Sequence, residues 1–205
     1  MNTVPGDDKR DVEGVADQRE GVGVADQREG VGVADQREGV GVADQREGVG
    51  VADERTTLVA FLDRQRACVV AKVAGLDDAV VRAPGVESGT SIMGLVKHLG
   101  WVEHGWFELL VAQGSGTNLR PHDRGWEFTP QPGETMTETV DAYRRACARS
   151  REIVTKHDLD DTVRHDQDGL VTIRWIVVHM IEETARHLGH IDILVEQLDG
   201  RTGMG

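Results

Sequence analysis

Residues 172–200 read TIRWIVVHMIEETARHLGHIDILVEQLDG. Ile173, Ile176, Met180, Ile191, Leu194 and Leu198 recur at the spacing of one helical face. Gly200 is a usual stop residue. The stretch therefore predicts a helix from about Thr172 to Asp199. Two polar residues interrupt its apolar stripe. At a step of about 100° per residue, Glu183 falls about 20° from Ile176 and Leu194, and His187 lies between Ile176 and Met180. Burying a bare carboxylate there would cost several kcal/mol. A divalent cation compensates the anion and takes the neutral imidazole as a second ligand. The i, i+4 spacing sets the two groups about 6 Å apart on one face, as two ligands of one ion require. A hydrogen-bonded core pair is the rival reading of the same two residues.

Outward from this helix, the same period picks out three more. One runs from about Glu54 to Ala74, with Leu58, Leu62, Val69 and Val73 on one side and Phe61 at the edge. A second opens after the cap-forming cluster Ser88-Gly89-Thr90-Ser91, carries Ile92, Leu95, Leu99, Val102, Trp106 and Leu109, and ends at Gly114-Ser115-Gly116. A third runs from about Thr135 to His157, with Val140, Tyr143, Cys147 and Val154 inward. No convincing strand is found. Four amphipathic helices of about 20 residues predict an all-α fold, a four-helix bundle. Its linkers, rich in Gly, Pro and Asp, are long enough to fold over one end and enclose a pocket.

The second helix offers a third ligand. His98 lies near Leu109 and Val102 on the wheel and can point inward, whereas His104 projects away and is expected in solvent. His98, Glu183 and His187 make a two-histidine, one-carboxylate set that leaves coordination positions open, the mark of a catalytic centre. His179 and His190 share the edge of the fourth helix and could replace a ligand or stand behind one. Trp101, Trp106 and Trp175 read as packing residues. Arg120 and Arg124 read as solvated loop cations able to meet a carboxylate.

Composition narrows the functional classes. With 23 Lys+Arg against 36 Asp+Glu, the net charge of -13 repels a phosphate backbone, so no nucleic-acid partner is expected. No apolar run approaches the 18 or so residues of a membrane span, and the first residues lack the basic and apolar regions of an export signal. Cys68 and Cys147 stand far apart without a CxxC pair, fit a reducing compartment, and read as small buried hydrophobes. A cytoplasmic location is expected.

From Val15 to Gly50 the chain repeats Val-Ala-Asp-Gln-Arg-Glu-Gly-Val-Gly, starting at Val15, Val24, Val33 and Val42. Nine residues turn a helix through about 900°, and nine is odd, so neither helix nor strand aligns the valines on one face. Every histidine and every aromatic residue follows residue 53. The expected organisation is a disordered tail over residues 1–52, one helical domain over 53–200 and a disordered C-terminus over 201–205.

Ser91–Leu99 (SIMGLVKHL) and Arg174–Asp192 (RWIVVHMIEETARHLGHID) resemble the DinB-like superfamily of bacterial metalloproteins, the damage-inducible four-helix family and not the polymerase of that name. Asp53–Leu58 (DERTTL) and the closing Leu198-Asp199-Gly200 look like its branch of uncharacterised "mini-circle" proteins. The resemblance covers residues 53 to 200 and leaves out the repeat. It implies one divalent metal held by a histidine of the second helix and two residues of the fourth, here His98, Glu183 and His187. Many members have histidine where Glu183 stands; glutamate there is similar to the mycothiol-dependent maleylpyruvate isomerase type. Relatives use low-molecular-weight thiols such as mycothiol or bacillithiol as cosubstrates.

The resemblance thus implies a metal-dependent enzyme using such a thiol in S-transfer or isomerisation on a small electrophile. Zinc is the first choice of metal, with nickel, iron or manganese as alternatives. His190 and His179 would orient the ligands or relay a proton. The alternative is a non-catalytic metal- or small-ligand-binding bundle. A small-molecule substrate is the expected partner, and a homodimer the expected assembly.

Overall fold

The computed structural model describes residues 49–113 and 125–203. The nine-residue repeat, the Gly114-Ser115-Gly116 break, Arg120, Arg124 and residues 204–205 lie outside the described residues. Among the described residues there are five α-helices: α1 (Glu54–Lys72), α2 (Asp78–Arg82), α3 (Ile92–Glu103), α4 (Met136–Val154) and α5 (Ile173–Asp199). α3 passes directly into a π-helical segment, His104–Ala112. A 3-10 turn, Trp126–Phe128, precedes α4, and a hairpin of β1 (Thr162–His165) and β2 (Gly169–Thr172) precedes α5. Among the described residues no helix is long and apolar enough to cross a membrane.

Side-chain caps set where the long helices begin. Asp53 accepts the Thr56 amide at 3.0 Å, Ser91 the Gly94 amide at 3.1 Å, and Thr172 the Trp175 amide at 3.1 Å. At α4 the cap is reciprocal, with the Thr135 hydroxyl accepting from the Glu138 amide while the Glu138 carboxylate accepts from Thr135. Each such cap satisfies a donor that the first turn leaves orphaned, and its loss costs about 1 kcal/mol. α5 stops at Gly200, whose φ of 77° is open to glycine without strain.

The four long helices pack in a ring: α1 against α5, α5 against α3, α3 against α4, and α4 against α1. Two apolar clusters fill it. One joins Val69, Leu95, Leu99, Tyr143, Ile191 and Val195; the other joins Leu62, Phe107, Leu110, Ile173, Ile176 and Met180. Fully burying each such side chain contributes about 1.5–3 kcal/mol. The inward residues expected from periodicity on α1, α4 and α5 are buried, Leu58 in part, with one exception. Leu198, on the last turn of α5, is 42% exposed.

Three features depart from the sequence expectation. The expectation of no strand is corrected by the β1–β2 hairpin, paired from Thr162↔Thr172 to His165↔Gly169. Its signal was the Asp168-Gly169 step, with Gly169 at φ 75° closing a three-residue loop. The second departure is the π segment. A π turn inserts an extra residue, so the 100° wheel fails after Glu103. Phe107 and Leu110 are buried there, while Leu109 is only half-buried. His104, expected in solvent, is likewise half-buried, with its ring 5.6 Å from that of Trp101. Third, the linker between α1 and α3 contains the short α2.

A buried ion pair ties α1 to α3 where the π segment begins. Glu103 is 0% exposed and accepts two hydrogen bonds from the Arg66 guanidinium, at 2.7 and 2.6 Å. Arg66 also meets Asp63 at 2.8 Å, which in turn accepts from Arg151 on α4. Neither Glu103 nor Arg66 stood out in the sequence.

Candidate metal centre

His98 is carried on α3, and Glu183 and His187 lie one turn apart on α5, the helix that α3 packs against. The structure brings the three together. The Nε2 of His98 is 3.1 Å, and the Nε2 of His187 3.2 Å, from the same oxygen, Oε1 of Glu183. The candidate ligand atoms all lie within 4.8 Å of one another. The His98 and His187 rings meet edge to face, with centroids 4.7 Å apart. His98 is 3% exposed, whereas Glu183 and His187 are half-buried. Two imidazoles converging on one carboxylate oxygen are a donor set that suits a divalent cation such as zinc. A further sign is the Nδ1 of His187, buried without a hydrogen-bond partner.

Electrostatics of the triad follow from this convergence. Hydrogen bonds to His187, and next to His98, hold the Glu183 carboxyl well below its usual range against the opposing effect of burial. Burial disfavours a charge on His98, but the carboxylates of Glu127 and Glu183 outweigh it and raise its pKa.

The 3-10 turn supplies what periodicity could not show. Phe128 stacks on the His98 ring at a centroid distance of 4.0 Å and 19° between planes. Glu127, 7% exposed, sets its Oε1 3.6 Å from the Nδ1 of His98, just beyond hydrogen-bond length. Neighbouring contacts hold this turn. A Cβ on Gly94 would collide with the Phe128 carbonyl oxygen, so glycine is what lets the turn lie against α3. The ammonium of Lys97 sits 4.0 Å from the Trp126 ring and pairs with Glu134 at 2.8 Å. Arg82 donates to the Gln131 and Glu134 carbonyls. Trp126 borders a cleft of about 530 Å³ between α3 and α4, lined also by Gly100, Trp101 and Tyr143. That volume is in the range of small-molecule sites.

The other candidates lie elsewhere. His179 stacks on Trp175, centroids 5.2 Å apart, and meets Trp106 edge-on at 4.8 Å. It belongs to an aromatic group near the hairpin, where Trp175 is 40% exposed. His190 is exposed, with its ring 5.6 Å from that of His187 between centroids. Cys68 and Cys147 are both buried, and burial pushes the Cys147 thiol up to about 12. Neither is a poised nucleophile.

The mostly helical domain thus places two imidazoles and a carboxylate, a donor set able to hold a metal ion, on facing helices. The family model described as mycothiol-S-transferase matches residues 57–200. The chain belongs to that family, within the DinB-like superfamily. No curated protein matches it.

Proposed function

We propose that the chain holds one divalent metal, zinc first, on His98, Glu183 and His187, and transfers a low-molecular-weight thiol of the mycothiol type to a small electrophile. The observation carrying this reading is the convergence of three donor atoms within 4.8 Å on the inner faces of α3 and α5, in a chain that matches the mycothiol-S-transferase family over the helical domain. When bound, such a metal lowers the pKa of a coordinated thiol and so supplies a thiolate near neutral pH. The protein's part is to present three preorganised donors. Glu183 supplies the negative charge, and its hydrogen bonds to both imidazoles already fix its oxygen between them. Phe128 covers one face of His98 and excludes water there. The pairing of His190 with His187 suits a role in orienting the ligand or passing a proton to bulk solvent; His179 serves the aromatic group instead. A cytoplasmic location accords with two buried free thiols.

The test is metal analysis of protein purified without a histidine tag, followed by turnover with mycothiol and a panel of electrophiles. Stoichiometric zinc and thiol-dependent turnover are expected. His98→Ala should lose the metal while His104→Ala keeps it. Equal loss from both variants would show that the cluster is not the centre. Stoichiometric metal without turnover would identify a binding bundle in place of an enzyme.

A further inference from the structure

We infer that Glu127 is the positioning residue of the metal centre, fixing His98 from behind so that its Nε2 is the donor offered to the cation. This rests on the metal reading of the triad, and concerns a residue outside it. An imidazole has two nitrogens, and the one that carries the hydrogen is chosen by the acceptor it meets. In His98 the Nε2 faces Glu183 and His187, while the Nδ1 faces the Glu127 carboxylate at 3.6 Å. At 3.6 Å, beyond hydrogen-bond length, the negative charge on that side still favours the tautomer with its hydrogen on Nδ1, which leaves the Nε2 lone pair for the metal. It also makes the ring a stronger donor by drawing on the N–H bond.

Glu127 does not act alone in setting the ring. Phe128, the next residue, fixes the ring plane by stacking, so two successive side chains of one short turn control both the rotation and the tautomer of His98. The turn is locked in turn by the Lys97–Glu134 pair and by its approach over Gly94. Glu127 is buried to 7% exposure with its Oε1 toward the Nδ1 of His98. Packing alone would favour an apolar residue at this position.

The experiment uses the full chain, tag-free, with zinc as the probe in competition against a chelator at constant pH. Glu127→Gln preserves the shape and an acceptor oxygen but removes the charge; Glu127→Leu removes the acceptor altogether. Zinc affinity is expected to fall about 10-fold in Glu127→Gln and closer to 100-fold in Glu127→Leu, the span typical of groups behind a ligand. The metal-free melting temperature of Glu127→Gln should stay near that of the wild type, and the visible spectrum of the cobalt-substituted variant should shift. A structural role alone would lower the melting temperature and leave both affinity and spectrum unchanged, which overturns the inference. Wild-type protein that takes up no zinc overturns the metal reading with it. Wild type and both variants binding zinc equally overturns only the role of Glu127.

Discussion

Glu103→Met should lower the melting temperature by on the order of 10 °C, and Arg66→Met by a similar amount. Arg66→Met leaves a carboxylate that is 0% exposed without its bidentate partner, and Glu103→Met leaves the buried guanidinium with Asp63 alone. Leaving a buried charge without its partner costs about 3–5 kcal/mol. For a domain of this size each kcal/mol moves the melting temperature by roughly 2–4 °C. The double variant Arg66→Met/Glu103→Met should recover most of the loss, because two flexible apolar side chains can fill the volume that the pair occupied. Asp63 keeps Arg151 as a partner at 2.8 Å, so the network at the surface end survives. Thermal melts of the three variants decide the matter. If the double variant loses the sum of the two singles, the charges are not coupled and the geometry here is not what stabilises the junction of α3 with the π segment.

Glu183→Gln should abolish the rise in melting temperature that zinc confers on the wild type. At zinc concentrations about a thousand times the dissociation constant, that rise corresponds to about 4 kcal/mol, again on the order of 10 °C. In metal-free protein the effect should depend on pH. A bare, buried carboxylate would make glutamine neutral or stabilising there, but Glu183 is only half-buried and accepts from both imidazoles. Its depressed pKa means that its stabilising contribution is present above its ordinary value of 4.5 and is lost as pH falls through the folded value. The raised pKa of His98 means that its contribution is fully present below its ordinary 6.5 and is lost as pH rises through the folded value. The pair therefore stabilises the metal-free fold most between about pH 4.5 and 6.5. Glu183→Gln should lower the metal-free melting temperature more at pH 5.5 than at pH 8.5, where the part that depends on charged His98 is gone. An equal loss at both pH values, with and without zinc, would mean that Glu183 is a plain structural hydrogen-bond partner.

The reach of the sequence differs from residue to residue. His98, Glu183 and His187 were legible because each sits within a regular helix, where a fixed step per residue turns sequence position into a direction. Glu103 and Arg66 did not stand out in the sequence, and only the tertiary structure shows that they satisfy each other. His104 and Leu109 were misplaced because the wheel assumes α-helix, and the backbone turns to π at residue 104. The hairpin escaped notice because its strands are four residues each, too short for alternation to stand out.

The sequence by itself determined that the domain is helical, where its four long helices run, and which polar residues break their apolar faces. Each of these follows from local steric rules and from the helical period, which act over a few residues. Only the tertiary structure decided that Glu127 and Phe128 stand behind His98. A three-residue turn has no period to read. Its place depends on contacts from distant parts of the chain: glycine at 94, Lys97 on α3, and the Glu134 that holds Lys97.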